Sequence, residues 1–238
     1  MPTSILSLAA CRASASLAPP PLRVLFSAAL ADDSPLDAAA LRALTCWPVP
    51  RETDGGACSS RPGDTVPFDA LLGEYGEAAP VVDAGAPRVR RLARLSALMR
   101  ALVASTGADW LGVYRVVPRG GGTALQKEAY TGAPSRAFFP LTADFAAHSN
   151  NSAVALSGCA RLIGDAHALG DDDAYYVCDA RVRSELCAPI VSAAGVVIGI
   201  IDAESFSADH FADSARAAAV LLACELLGEC DLLRELLV

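Results

Sequence analysis

The chain has 238 residues, 53% of them hydrophobic and 19% charged, a balance that excludes a disordered polymer and allows one sizeable core. A net charge of −8 excludes the basic surface that non-specific nucleic-acid binding requires, and no apolar run approaches the ~20 residues that cross a bilayer. Eight cysteines without a CxxC pair do not read as a disulfide framework, so a reducing, cytoplasmic setting with one or two functional thiols is expected.

Met1 to Ala31 holds Arg12, Arg23, many serines and alanines, and no acidic residue. That composition fits an organellar transit segment or, equally, a strand over Leu22 to Phe26 and a helix over Leu36 to Leu44 packed on the rest. Asp32 or Ser34 is the expected cap of that helix, with Pro35 in its first turn. Thr45 to Pro67 is rich in Pro, Gly and Ser and reads as a loop, Phe68 to Tyr75 as a short helix, and Gly76 to Pro87 as a linker. Residues 1–87 therefore form an N-terminal extension with no recognisable chemistry, and 88–238 form the main domain.

From Arg88, Val89, Leu92, Leu95, Met99 and Leu102 recur at helical spacing, with the arginines on a solvated face. Trp110 to Val117 and Thr123 to Tyr130 read as a hairpin about Pro118 to Gly122, with Trp110, Gly112 and Tyr114 on one strand face. Phe138 to Leu141 is a short strand, Phe145 to Leu156 a helix broken near Asn150 and Asn151, and Ala160 to Ile163 a strand ending at Gly164 and Asp165. Asp171, Asp172 and Asp173 lack the ligand spacing of a calcium loop and read as a solvated one.

Tyr176 to Phe206 concentrates the chemistry. Cys178 precedes a loop, and Glu185 opens a strand to Val191 in which Pro189 marks an edge or a bulge. After a turn at Ala193 to Gly195, Val196 to Ser205 forms a second strand. Alternation places Glu185 and Cys187 on one face, and Asp202 and Glu204 on one face. Carboxylates on so apolar a strand are costly to bury unless paired, protonated or ligand-bound; the alternative is a solvated strand end. A last helix opens at Phe206 to Asp209 with Ser207 as cap. Its apolar stretch from Ala217 to Val238 buries two faces, against a homodimer partner or the N-terminal third. Cys224 and Cys230 on it read as inert core thiols.

Cys178-Asp179, Ser184-Glu185 leading to Pro189, Ile198-Gly199 and Ile201-Asp202-Ala203-Glu204-Ser205 resemble the free methionine-(R)-sulfoxide reductases, single GAF-domain enzymes. Asp109 to Tyr114 and Gly164 to His167 are similar as well. The resemblance implies an α+β, GAF-like antiparallel central sheet flanked by helices over residues 88–238. It implies Cys178 as the nucleophile that becomes a sulfenic acid as methionine leaves. Glu185, Asp202 and Glu204 would bind the free amino group, and one of them would protonate the departing oxygen. Trp110, Tyr114 and Asp165 would complete the substrate site, with no bound cofactor or metal and with a thioredoxin-like protein or a dithiol as external reductant.

The sequence departs from the family in lacking two upstream cysteines, where Arg136 and Ala146 stand instead. Cys187 and Cys159 are then the available resolving thiols, and Arg181 and Arg183 the available cations beside Cys178. A GAF module that binds a small ligand without reacting is the alternative. Zinc held by Cys159, His167, Cys178 and Cys187 would lack the usual closely spaced ligand pairs.

Overall fold

The computed structural model describes residues 3–51, 65–68, 87–169 and 179–234. Seven strands form one antiparallel sheet: β1 (Thr3–Leu6), β4 (Trp110–Arg119), β5 (Gly122–Thr131), β6 (Phe138–Pro140), β7 (Ala160–Ile163), β8 (Ser184–Val191) and β9 (Val197–Ser205). Their spatial order is β1-β7-β8-β9-β4-β5-β6, an open α+β sheet flanked by helices. A separate two-stranded ribbon pairs β2 (Pro48–Pro50) with β3 (Thr65–Pro67).

One face of the sheet carries the main core. Leu111, Val113, Leu186, Ala188, Ile190, Ile201 and Ala203 point into it, by strand alternation. They meet Leu95, Leu98, Met99 and Leu102 of helix α4 (Pro87–Thr106) and Ala219 to Leu227 of helix α7 (Ser214–Glu229). Helices α1 (Leu8–Ala15) and α2 (Pro20–Leu30) add Cys11, Ala15 and Phe26. Helix α7 is therefore covered by the N-terminal segment, the second of the two covers open to it from its pattern alone. The arginines of α4 are not all solvated as expected: Arg91 is buried and donates to Glu128 at 3.2 Å, since a carboxylate buried on β5 needs a cationic partner.

Other local expectations shift for physical reasons. Leu22 to Phe26 lies in a helix, not a strand, because Pro20 and Pro21 pre-set its first turn and turn Phe26 inward. The next helix, α3 (Ala38–Thr45), is capped by Asp37, which accepts from the Ala40 N–H at 2.7 Å, while Asp32 is engaged with Ser34. The expected loop from Thr45 contains the β2–β3 ribbon, formed because Val49 and Val66 bury together. Asp213, not Ser207, caps α7, after a 3₁₀ turn at His210–Ala212. Residues 69–75 of the expected helix from Phe68 and the loop at Asp171 to Asp173 lie outside the described residues. Pro189 sits in an interior strand, but the β7 register stops at Arg161↔Cys187, and a bulge follows at Ile190/Val191. Its missing N–H is thus placed where the ladder has already ended.

The opposite face carries a smaller cluster: Trp110, Tyr114, Leu125, Phe139, Cys187 and Ile200 under Val154 and Ala155 of helix α6 (Asn150–Ser157). A one-turn helix, α5 (Ala143–Ala146), precedes α6, so the helix expected over Phe145 to Leu156 is two helices, restarted by the Ser149 cap.

Candidate functional site

Strand register assembles the carboxylates. Glu185 of β8 lies opposite Glu204 of β9, which lies opposite Trp110 of β4. One row deeper, Cys187 faces Asp202, and Asp202 faces Gly112. Gly112 has a purpose in this row: a Cβ there would stand 2.3 Å from Cη2 of Trp110, so the absent side chain is the space the indole fills. Gly132, at φ +112°, gives the same ring room from the other side.

Gly112→Ala is accordingly expected to displace the indole. It should cost about 1–3 kcal/mol of stability, read from urea unfolding, and should flatten the near-ultraviolet tryptophan signal. An unchanged spectrum would show that the row is not built around Trp110.

Helix α6 delivers the polar partners. Asn150 Nδ2 donates to Glu185 Oε1, and Asn151 Nδ2 donates to Asp202 Oδ2 at 3.0 Å. Asp202 Oδ1 and Asn150 Oδ1 are buried and, among the described residues, have no hydrogen-bond partner. Both residues line a cavity of about 20 Å³ with Trp110, Tyr114, Ser135, Phe139, Glu185 and Glu204, space for one water.

Ser135 lines the cavity, and carbonyls of residues 133–136 accept from the surrounding side chains. Trp110 Nε1 donates to the Ala133 carbonyl at 2.9 Å, Lys127 Nζ to that of Ser135 at 2.8 Å, and Tyr114 Oη to that of Arg136 at 3.3 Å. The N-terminal extension reaches this wall. Trp47 stacks on Phe68 at 4.2 Å and meets Tyr130 edge-on, and the Lys127 ammonium lies 4.6 Å from the Tyr130 ring and 5.0 Å from that of Trp47.

Burial and like charge govern the acids. Burial first, then Glu185 and Glu204, push Asp202 well above the usual carboxylate range, and Asp202 and Glu185 are hydrogen-bonded to each other. Burial, with Glu185 and Asp179 beside it, raises Glu204 to about 8, partly offset by Lys127. At about 8, Glu204 holds its proton near neutral pH and can donate it. A stability consequence follows with a definite sign. Between about 4.5 and 8 the folded chain retains a Glu204 proton that the unfolded chain releases, so stability falls as pH rises through that window. The unfolding free energy from urea titrations should decline by roughly a few kcal/mol across it, and Glu204→Gln should flatten the slope. A rise over the same window would contradict the buried acid.

Other candidates separate from this centre. Asp165 does not line the cavity. It accepts from Arg183 Nε at 2.8 Å, and that contact holds its carboxyl down to about 2, so it anchors a loop. Arg183 is thereby committed, and Arg181 pairs with Asp179 at 2.6 Å. Cys159 precedes β7 at the end away from Glu185, whose partner is Ile163, about 13 Å along the strand. Cys187 is fully buried, and burial with Asp202 and Glu185 beside it pushes its thiol well up, the reverse of what a resolving thiolate needs. Cys178 lies outside the described residues. The described chain resumes at Asp179, whose charge acts on Glu204. Cys11 and Cys224 line a different cleft of about 260 Å³ between α1 and α7, and burial raises both thiols. No described helix is long and apolar enough to cross a membrane.

Asn150, Asn151 and Ser135 line the cavity, with Lys127 and Trp47 behind its wall, and sequence reading did not single out any of them as site residues. The one signal available was Ser149-Asn150-Asn151, a cap followed by two amides where the helix pattern breaks.

The GAF domain family model matches residues 90–228. None of the curated proteins matches the chain. Among solved structures it is similar to the type II free methionine-R-sulfoxide reductase from Thermoplasma acidophilum, at 20% identity and a TM-score of 0.53, over 63% of this chain and 96% of that one. It is also similar to a candidate GAF sensor protein from Burkholderia vietnamiensis (24% identity, TM-score 0.48, 58% of this chain and 80% of that one). A third is the free methionine-R-sulfoxide reductase from Neisseria meningitidis in complex with its substrate (22%, TM-score 0.44, 58% and 79%). At these identities the likeness is one of fold.

Proposed function

The chain belongs to the GAF domain family, and from that premise we propose that it reduces the sulfoxide of free methionine, the R epimer by resemblance, with Cys178 as nucleophile. The observation that carries this reading is the convergence of Glu185, Asp202 and Glu204 on one aromatic-walled cavity, whose lining residues Asp202 and Asn150 each keep one buried oxygen without a partner among the described residues. A buried cluster of acids and orphan acceptors is costly without a cation to receive. The ammonium of a free amino acid supplies one, whereas a peptide-bound methionine has an amide there. Trp110, Tyr114 and Phe139 offer the apolar wall that suits a thioether or sulfoxide. An amino acid exceeds the present cavity, so binding requires the cavity to widen.

The Cys178 thiolate attacks the sulfoxide sulfur while a protonated acid, which we assign to Glu204, gives its proton to the sulfoxide oxygen. The hydroxyl passes from the methionine sulfur to the Cys178 sulfur as the transient bond between the two sulfurs breaks, so methionine leaves with that electron pair and Cys178 carries the oxygen as a sulfenic acid. An external dithiol or thioredoxin-like protein then returns Cys178 to the thiol and releases water, and burial, which pushes the Cys187 thiol well up, disfavours that residue as the resolving thiolate.

Free and peptide-bound methionine sulfoxide, each supplied with excess dithiol, test the reading. Conversion of the free form alone is expected. Tight binding without turnover would replace it with a non-reacting ligand-binding module.

A further inference from the structure

Cys187 takes no part in the turnover just described, yet it is buried against two of its carboxyl groups. We propose that Glu185, Cys187 and Asp202 form a site for a thiophilic divalent cation, Zn²⁺ above all. The site does not depend on the reductase reading. One sulfur and one oxygen from each carboxyl group all lie within 4.8 Å of one another, and all three side chains are buried. Antiparallel register holds the set: Cys187 stands directly opposite Asp202, and Glu185 lies two residues along β8 on the same face.

One further donor supports the set: Asn150 Oδ1 is buried and unengaged among the described residues, as is Oδ1 of the ligand Asp202, and both side chains line the cavity above. Asn150 Oδ1 or a water then completes a tetrahedron.

The donor set selects the ion. Zinc bonds of ~2.3 Å to sulfur and ~2.0–2.2 Å to oxygen place ligand atoms roughly 3.3–3.8 Å apart, so closure by about 1 Å from the present spread suffices. Ca²⁺ and Mg²⁺ require six or more oxygen ligands, and a thiol at the centre disfavours both. Binding replaces the thiol proton and the proton held between Glu185 and Asp202, with two protons released and no change of redox state. The ion would occupy the place of a ligand ammonium and so exclude it.

The test uses the full chain, reduced and stripped of metal, titrated with Co²⁺ alone. One equivalent should produce tetrahedral d–d bands and a thiolate-to-cobalt charge-transfer band, displaced by Zn²⁺ and unaffected by excess Mg²⁺. The charge-transfer band should persist in Cys178→Ser and vanish in Cys187→Ala. Glu185→Gln, checked for native circular dichroism, should weaken Co²⁺ binding by at least ~10-fold. Absence of the band in the wild type, its survival in Cys187→Ala, or its loss in Cys178→Ser would overturn the proposal.

Discussion

Cys178→Ser is expected to lose at least ~10³-fold in turnover of free methionine sulfoxide, roughly 4 kcal/mol of barrier at 1.36 kcal/mol per tenfold. Serine keeps the size and most of the hydrogen bonding of the thiol, but its hydroxyl stays protonated and is a far weaker nucleophile toward sulfur. The groups that line the cavity and that we propose bind the ligand, Glu185, Asp202, Asn150 and Trp110, remain in place, so affinity for methionine should be unchanged. Steady-state turnover with dithiol and calorimetric titration with methionine, on the same preparation, separate the two effects. A variant that still turns over at a tenth of the wild-type rate would remove Cys178 from the chemistry. One that loses binding as well would make it a structural residue.

Glu204→Gln carries the second large effect. If Glu204 gives the proton to the departing oxygen, its amide should reduce kcat by about 10²–10⁴ with a smaller change in KM. The pH profile gives a more specific signature. Burial and its carboxylate neighbours place Glu204 at about 8, so wild-type activity should fall as pH rises past that value, and the variant should lack this limb. Asp202→Asn should act differently. It retains the contact to Asn151 but loses the charge that receives an ammonium, so KM should rise, by about 1.5–3 kcal/mol of binding, more than kcat falls. If Glu204→Gln leaves kcat and the alkaline limb intact, the proton comes from elsewhere.

The two-residue period was enough to place Glu185 with Cys187 and Asp202 with Glu204, because a strand leaves no freedom in which face a side chain takes. It also placed Trp110 and Tyr114 together. What alternation cannot supply is the partner across the sheet. The contacts of Asn150 to Glu185 and Asn151 to Asp202 join a helix start to strands far along the chain, and only the folded register brings them together. Trp47 is a sharper case. It lies in a stretch whose Pro, Gly and Ser content reads as loop, and its packing against Phe68 and Tyr130 depends on the ribbon formed by Val49 and Val66.

Local ambiguities account for the rest. Leu22 to Phe26 is too short an apolar run for its period to separate strand from helix, although Pro20 and Pro21 carried the helical signal. Ser207 and Asp213 are both good caps before an apolar helix, and the intervening turn around Phe211, which is buried, decides for Asp213. Asp165 enters the substrate site only through the family resemblance, and no local pattern names its partner. That partner is Arg183, eighteen residues on.

The most direct test of the central claim is a single turnover without reductant. The reduced chain is mixed with one equivalent of free methionine (R)-sulfoxide, methionine is quantified, and peptides are analysed by mass spectrometry after trapping sulfenic acids. One equivalent of methionine should appear, and Cys178 should carry one added oxygen or the adduct of the trap, with Cys159 and Cys187 unmodified. Unchanged sulfoxide and an unmodified Cys178, from protein that binds methionine, would contradict reductase chemistry at this site.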